Sequence, residues 1–114
     1  MKTTDIPSTS ARLAAVSPEA MAHYQQMRAK VMPAPGVDAV TCEIVFVMQL
    51  AVLGVEIPFK VHAMRAMALG AGKTQLQRLV LAGLGVTLIA SQAGRAVAWL
   101  DEAHEESQQA AAAG

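Results

Sequence analysis

Apolar residues along this chain fall into blocks of helical length separated by proline and glycine. Ser17 and Pro18 mark a helix start, because serine is a favoured N-cap and proline suits the first helical position, and this helix is predicted to reach about Met32. Asp38 can cap a second helix over roughly 39–53, which is apolar on nearly every side. Its β-branched residues would also suit a strand, but a length of about fifteen residues favours a helix, buried on all sides.

Three further helices follow from similar features. Pro58 opens the third helix, and Gly70 closes it as the residue after the last turn. The two later helices are predicted to run from Lys73 or Thr74 to about Leu88, and from a Ser91 cap to about residue 107.

The two ends of the chain show no sustained period. Residues 1–16 are rich in threonine and serine and are predicted to form a flexible arm, and residues 108–114 a flexible tail. Residues 17–107 are therefore expected to form a single all-α domain of about five antiparallel helices joined by short loops.

The composition is unusually apolar for a chain of this length. Of the 114 residues, 54% are hydrophobic and 16% are charged, whereas about 25% charged is typical. The surplus must be covered by a membrane or by another subunit. The longest uncharged run lies between Arg78 and Arg95 and contains three glycines. It is shorter than the roughly 20 apolar residues that span a membrane, so we predict a soluble oligomer.

Charge and cysteine content exclude several classes of function. The formal net charge is zero and no lysine–arginine cluster is present, which argues against binding to nucleic acid. The single cysteine, Cys42, excludes an intrachain disulfide, and the widely spaced histidines show no zinc pattern. No metal or cofactor is expected. The N-terminus also lacks the apolar core of a secretion signal, so a reducing cytoplasm is predicted.

His62 is the first candidate for chemistry. It lies in the second turn of the third helix, and Arg65 follows on the same face. Such a pair suits an anionic substrate, because the guanidinium can hold a carboxylate while the imidazole moves a proton. The alternative is a structural histidine, bonded to a backbone carbonyl or to a neighbouring glutamate.

Glu43 is the second candidate, because it lies near the start of the apolar second helix. If its carboxylate faces inward it can orient His62, and otherwise it is a charge in solvent. Lys60 and Arg95 are further candidates for binding an anion, although such side chains are more often surface charges. Cys42 is expected to be a small buried hydrophobic residue rather than a nucleophile.

Residues 37–106 resemble the carboxymuconolactone decarboxylase superfamily. The markers are a histidine, His62, followed by an alanine-rich helix, a break at Gly70-Ala71, and Leu76 opening the next helix. The resemblance implies the alkylhydroperoxidase D-like helical fold and assembly as a homotrimer or homohexamer.

One branch of that superfamily consists of dithiol peroxidases. In the alkylhydroperoxidase D branch a glutamate, a CxxC pair and a histidine relay protons and electrons. Matching the histidine to His62 and the glutamate to Glu43 puts the two cysteine positions at Val55 and Pro58, so both thiols are missing. The resemblance therefore argues against alkylhydroperoxidase activity. Cys42 matches neither thiol position and would need an outside thiol to complete a cycle.

The decarboxylase branch needs no thiol, and its pattern resembles Lys60-x-His62-x-x-x-Ala66. It implies a cofactor-free lyase or isomerase acting on a small carboxylated lactone or enol. Arg65 or Lys60 would hold a carboxylate, and His62, with Glu43, would deliver a proton. Ile57 and Pro58 stand where this branch tends to carry acids, so no particular lactone is implied.

A second hypothesis retains the helical fold but assigns the protein no catalytic activity. On this view the chain is a non-catalytic helical oligomer or small-ligand binder with a degenerate site. Peroxidase activity is the third and weakest hypothesis.

Overall fold

A computed structural model describes residues 8–113 of the chain and confirms an all-α fold. Within that range it contains no β-strand beyond an isolated bridge between Leu84 and Leu88. The helices are α1 (Thr9–Val16), α2 (Pro18–Val31), α3 (Ala39–Leu53), α4 (Glu56–Ala68), α5 (Lys73–Ala82) and α6 (Ala90–Ala113). The described residues thus form six helices, whereas the sequence predicted about five.

The chain divides into two compact units at residues 37 and 38. The division follows the proline- and glycine-rich stretch 33–36, whereas the sequence suggested one helical domain over 17–107. Each unit is therefore described by itself. The first contains α1 and α2, and the second contains α3 to α6 and the candidate site.

The first unit holds a helix that the sequence pattern did not predict. Residues 9–16, assigned above to an arm, form α1, because the Ser8 side chain caps it by accepting a hydrogen bond from the Ala11 amide. Ser17 caps α2 in the same way through the Ala20 amide, as predicted. Alanine at four of the positions from 11 to 20 favours helix in this segment despite its weak periodicity.

The connection between α3 and α4 is two residues long. Gly54 ends α3 in the left-handed conformation at φ 71°, and its amide bonds to the Leu50 carbonyl. α4 then begins at Glu56, two residues earlier than predicted, with Pro58 inside the first turn, where its missing amide hydrogen costs nothing. The short connection turns α4 back along α3.

Glycines also shorten α5. The predicted helix to Leu88 stops at Ala82, and the Gly83 carbonyl accepts hydrogen bonds from the amides of a tight loop that includes Gly85 at φ 85°. α6 in turn continues to Ala113, so residues 108–113, predicted to be a flexible tail, are helical. Their glutamines and alanines have high helix propensity even without an apolar partner.

An apolar core lies between the four helices of the second unit. Its fully buried large side chains are Val47, Phe59, Leu76, Val80 and Leu100. Alanines of α4 and α6 are also buried in this core, and their small side chains let the helices approach closely.

The prediction that α3 is buried on all sides is wrong in this structure. Val45, Val52 and Leu53 of α3 are 42–72% exposed. Among residues 8–113, no helix combines the length and the apolarity needed to cross a membrane.

Substitution of Gly54 tests whether the α3–α4 turn depends on a glycine in the left-handed conformation. Gly54→Ala should lower the free energy of unfolding by at least about 1–2 kcal/mol, because alanine is strained in the left-handed region. The added Cβ would also collide with the Arg95 guanidinium. Urea denaturation measures the loss.

Gly94→Ala is the matched control, because Gly94 lies inside α6 and an added Cβ would meet nothing within 4 Å. It should raise stability by about 0.5–1 kcal/mol. Equal losses at Gly54 and Gly94 would contradict this account of the turn.

Candidate functional site

The candidate site begins with a carboxylate inside an apolar helix. Glu43 is the fifth residue of α3 and only 5% exposed, the one charged residue classed as buried in residues 8–113. Its neighbours along the chain are Cys42, also buried, and the half-buried Ile44. A buried carboxylate is costly unless it is paired, so its partner decides what the site can do.

That partner is His62. The Nδ1 atom of His62 lies 2.6 Å from Oε2 of Glu43, a short separation of the kind seen in charge-assisted hydrogen bonds. The side chains come from α4 and α3, which the two-residue connection holds together. The structure thus brings together the two residues assigned catalytic roles from the sequence, and the Glu43 carboxylate is not a charge in solvent.

The hydrogen bond gives the two imidazole nitrogens different roles. An ionised carboxylate can only accept hydrogen bonds, so with Glu43 ionised the Nδ1–H group of His62 must be the donor. In neutral His62 the other nitrogen, Nε2, then has a free lone pair. The His62 side chain is 22% exposed, and no second hydrogen-bond partner of its ring is present among residues 8–113.

Phe46 lies against the same imidazole. Its ring centroid is 5.5 Å from that of His62, and the two ring planes meet at 77°, an edge-to-face arrangement. Phe46 follows Glu43 by three residues on α3, so the two side chains share a helix face. Sequence reasoning missed Phe46, although its spacing from Glu43 was a usable indication.

Arg65 is the cation that helix spacing places on the same face of α4 as His62. It follows His62 by three residues, and its side chain is exposed. Within residues 8–113 no ion pair with an acidic side chain engages its guanidinium. Arg65 thus keeps the capacity to bind a carboxylate near His62.

Lys60, the other candidate for substrate binding, is held by acidic residues. Its Nζ lies 2.7 Å from Glu56 and 2.9 Å from Glu102, and its side chain is 19% exposed. Burial acts to lower the pKa of Lys60, but the hydrogen bonds and charges of both carboxylates outweigh burial and raise it. Lys60 joins α4 to α6, and an incoming anion would compete with two carboxylates.

The remaining candidates from the sequence, Arg95 and Cys42, are packed against other parts of the fold. Arg95 places its guanidinium 4.9 Å from the centre of the Trp99 ring and against Gly54, so it packs over the end of α3. Cys42 is buried and carries a free thiol. In the described part of the chain, no group of three or more metal-ligating side chains comes together.

Comparison of this chain with protein-family models, with curated proteins and with solved structures finds no match. The geometry of the Glu43–His62 site is therefore the basis for a functional proposal.

The Glu43–His62 bond makes a spectroscopic prediction. Neutral His62 should carry its proton on Nδ1, and ¹⁵N NMR of the imidazole should show this directly. Glu43→Leu removes the acceptor and should abolish the preference for Nδ1. Glu43→Gln is the matched control, because its amide oxygen can still accept the hydrogen bond.

His23 serves as an internal reference in the same spectra. It lies on α2, is exposed, and should not respond to either substitution. A neutral His62 with its proton on Nε2 in the unsubstituted protein would contradict the arrangement described here.

Proposed function

We propose that this protein is a cofactor-free lyase or isomerase of the carboxymuconolactone decarboxylase type, acting on a small carboxylated lactone or enol. The observation that carries the proposal is the bond between the buried carboxylate of Glu43 and Nδ1 of His62. Such a bond orients the imidazole, and it stabilises the imidazolium that forms when Nε2 takes up a proton.

The proposed reaction uses His62 as a proton carrier. Cleavage of the bond to the departing CO₂ leaves an electron pair, which the conjugated system holds as a dienolate. Protonated Nε2 of His62 then gives its proton to carbon, and solvent restores the proton to the imidazole. General acid–base catalysis of this kind typically contributes about 10²–10⁴-fold. Glu43 keeps the ring oriented through both halves of the cycle.

Arg65 is proposed to bind the substrate carboxylate. Its guanidinium is exposed on the His62 side of α4 and presents donors in the planar geometry that a carboxylate fits. Lys60 is the weaker candidate for this role, since its ammonium already bridges Glu56 and Glu102.

Thiol peroxidase chemistry receives less support. Val55 and Pro58 occupy the positions at which the resemblance requires two cysteines. The one thiol of the chain, Cys42, is buried in α3, which limits its access to peroxide or to a resolving thiol.

Self-association is part of the proposal. The end of α5 and its connection to α6, residues 81–89, carry no charge. Leu81, Leu84, Val86 and Ile89 in this segment are 43–82% exposed. Large exposed apolar patches commonly mark interfaces. Because the net charge is zero, two copies of the chain do not repel each other electrostatically as a whole. We propose a homotrimer or homohexamer in the cytoplasm. The same exposure favours the second candidate function, a non-catalytic helical oligomer or small-ligand binder.

Turnover separates the two candidate functions. A panel of carboxylated lactones, monitored by ultraviolet absorbance and by CO₂ release, should include at least one substrate. His62→Gln should lower kcat at least about 10²-fold, because it removes the proton carrier. Arg65→Met should mainly raise KM, because it removes uniform binding of the carboxylate.

Lys60→Met is the control for Arg65→Met. It removes a cation two residues from His62 and should lower stability by about 0.5–1 kcal/mol while leaving KM unchanged. Turnover that persists in His62→Gln would refute the proposed mechanism, and no turnover of any lactone would favour the non-catalytic alternative.

Light scattering tests the proposed association. The unsubstituted protein should have the mass of several copies at micromolar concentration. The double substitution Val86→Asp and Ile89→Asp should shift it to the monomer, because burying two carboxylates in an apolar interface is costly. Val16→Asp, at an equally exposed valine of α1, should leave the mass unchanged. A monomeric unsubstituted protein would contradict the proposal.

A further inference from the structure

Phe46 has a role that neither the sequence pattern nor the resemblance assigned. We propose that Phe46 is a positioning residue, whose ring fixes the plane of the His62 imidazole and hence the direction in which Nε2 faces. The proposal rests on the proposed function in one respect, because it takes Nε2 of His62 as the reacting atom.

The hydrogen bond to Glu43 sets the mean orientation of the imidazole but does not by itself hold the ring rigid. It holds one ring atom, Nδ1, at 2.6 Å from the carboxylate. The ring can still make small rotations about the Cα–Cβ and Cβ–Cγ bonds of His62 as the hydrogen bond flexes. Such rotations would carry Nε2 through an arc. Misplacement of a reacting atom by about 1 Å can cost on the order of 10²-fold in rate, so a second contact on the ring would protect the rate.

Phe46 supplies a contact of that kind. The two rings lie edge to face at 77°, with their centroids 5.5 Å apart, which is within the favoured range for aromatic pairs. Rotation of the imidazole about its side-chain bonds would carry it out of this arrangement. The Phe46 ring therefore restricts the motion that the Glu43 bond permits.

The two contacts also come from a single rigid element. Glu43 and Phe46 are three residues apart on α3, and both reach His62 on α4. Because α3 presents the carboxylate and the ring on one face, their relative positions are set by helix geometry and not by loops. α3 can therefore orient the imidazole as a unit.

The alternative role for Phe46 is simple filling of space. In that case loss of the ring would lower stability but would leave the mobility of the His62 ring and the rate of proton transfer unaltered. Phe46→Leu keeps an apolar side chain and removes the ring face, whereas Phe46→Tyr keeps the ring. The comparison of these two variants separates the roles.

The first measurement needs no substrate. ¹³C relaxation of the His62 Cδ2–H bond reports the order of the ring on a scale where about 0.85 is rigid and below about 0.6 is flexible. Phe46→Leu should move this order parameter from the rigid towards the flexible range, and Phe46→Tyr should retain the unsubstituted value. An unchanged order parameter in Phe46→Leu would overturn the proposal.

The second measurement uses turnover of a carboxylated lactone. Phe46→Leu should lower kcat about 3- to 10-fold, the range expected for loss of one aromatic contact, with KM unchanged because Arg65 still binds the carboxylate. Phe46→Tyr should restore kcat. A fall in kcat that Phe46→Tyr shares equally would overturn the proposal.

Phe59→Leu is the matched control, because Phe59 is fully buried against Trp99 in the core and the substitution is chemically the same. It should lower stability without altering the order of the His62 ring. Should Phe46→Leu fail to fold, Phe46→Met gives the same test with an adaptable apolar side chain. Absence of turnover in the unsubstituted protein would refute the proposed function alone, since the relaxation measurement still decides the role of Phe46.

Discussion

One hydrogen bond organises the second unit of this protein, the contact between Glu43 and His62. A carboxylate that is only 5% exposed among apolar side chains carries a large desolvation cost, and removal of its partner would leave that cost uncompensated. The pair therefore constrains how α3 lies along α4. A shift of either helix by one turn, about 5.4 Å, would break it.

Two lysines of this unit join helices on the outside. Lys60 links α4 to α6 through Glu102, while Lys73 and Gln77 of α5 both contact Asp101 on α6. The hydrogen bond from Lys73, assisted by that from Gln77, lowers the pKa of Asp101. α6 thus packs against the apolar core on one side, and on another side it makes polar contacts with α4 and α5. Arg65, by contrast, is exposed and has no such ion pair among residues 8–113.

Local sequence features predicted much of the helical framework. Ser17, Asp38 and Gly54 lie at the helix boundaries that their residue types favour. The end of α5 was misplaced because glycines at 83 and 85 can either weaken a helix or stop it, and the leucines around them fit both outcomes. α1 was missed because a serine cap and a few alanines give no strong period.

The site was predictable only in part, for a related reason. Glu43 and His62 could be paired from their places on neighbouring apolar helices. The contact of Lys60 with Glu102 joins residues 42 positions apart, and helix spacing contains no information about which faces of α4 and α6 meet. The edge-to-face contact of Phe46 required the rotation of α3 about its own axis, which a helix apolar on nearly every side does not reveal.

The two-residue link between α3 and α4 has a consequence for how the site arises. Glu43 and His62 are separated by only 19 positions, so little chain entropy is lost when they meet. Contacts between near neighbours along a chain are also among the quickest to form. The proposed proton-handling pair thus lies wholly within the α3–α4 hairpin, so evolution could alter α5 and α6 without having to rebuild the pair.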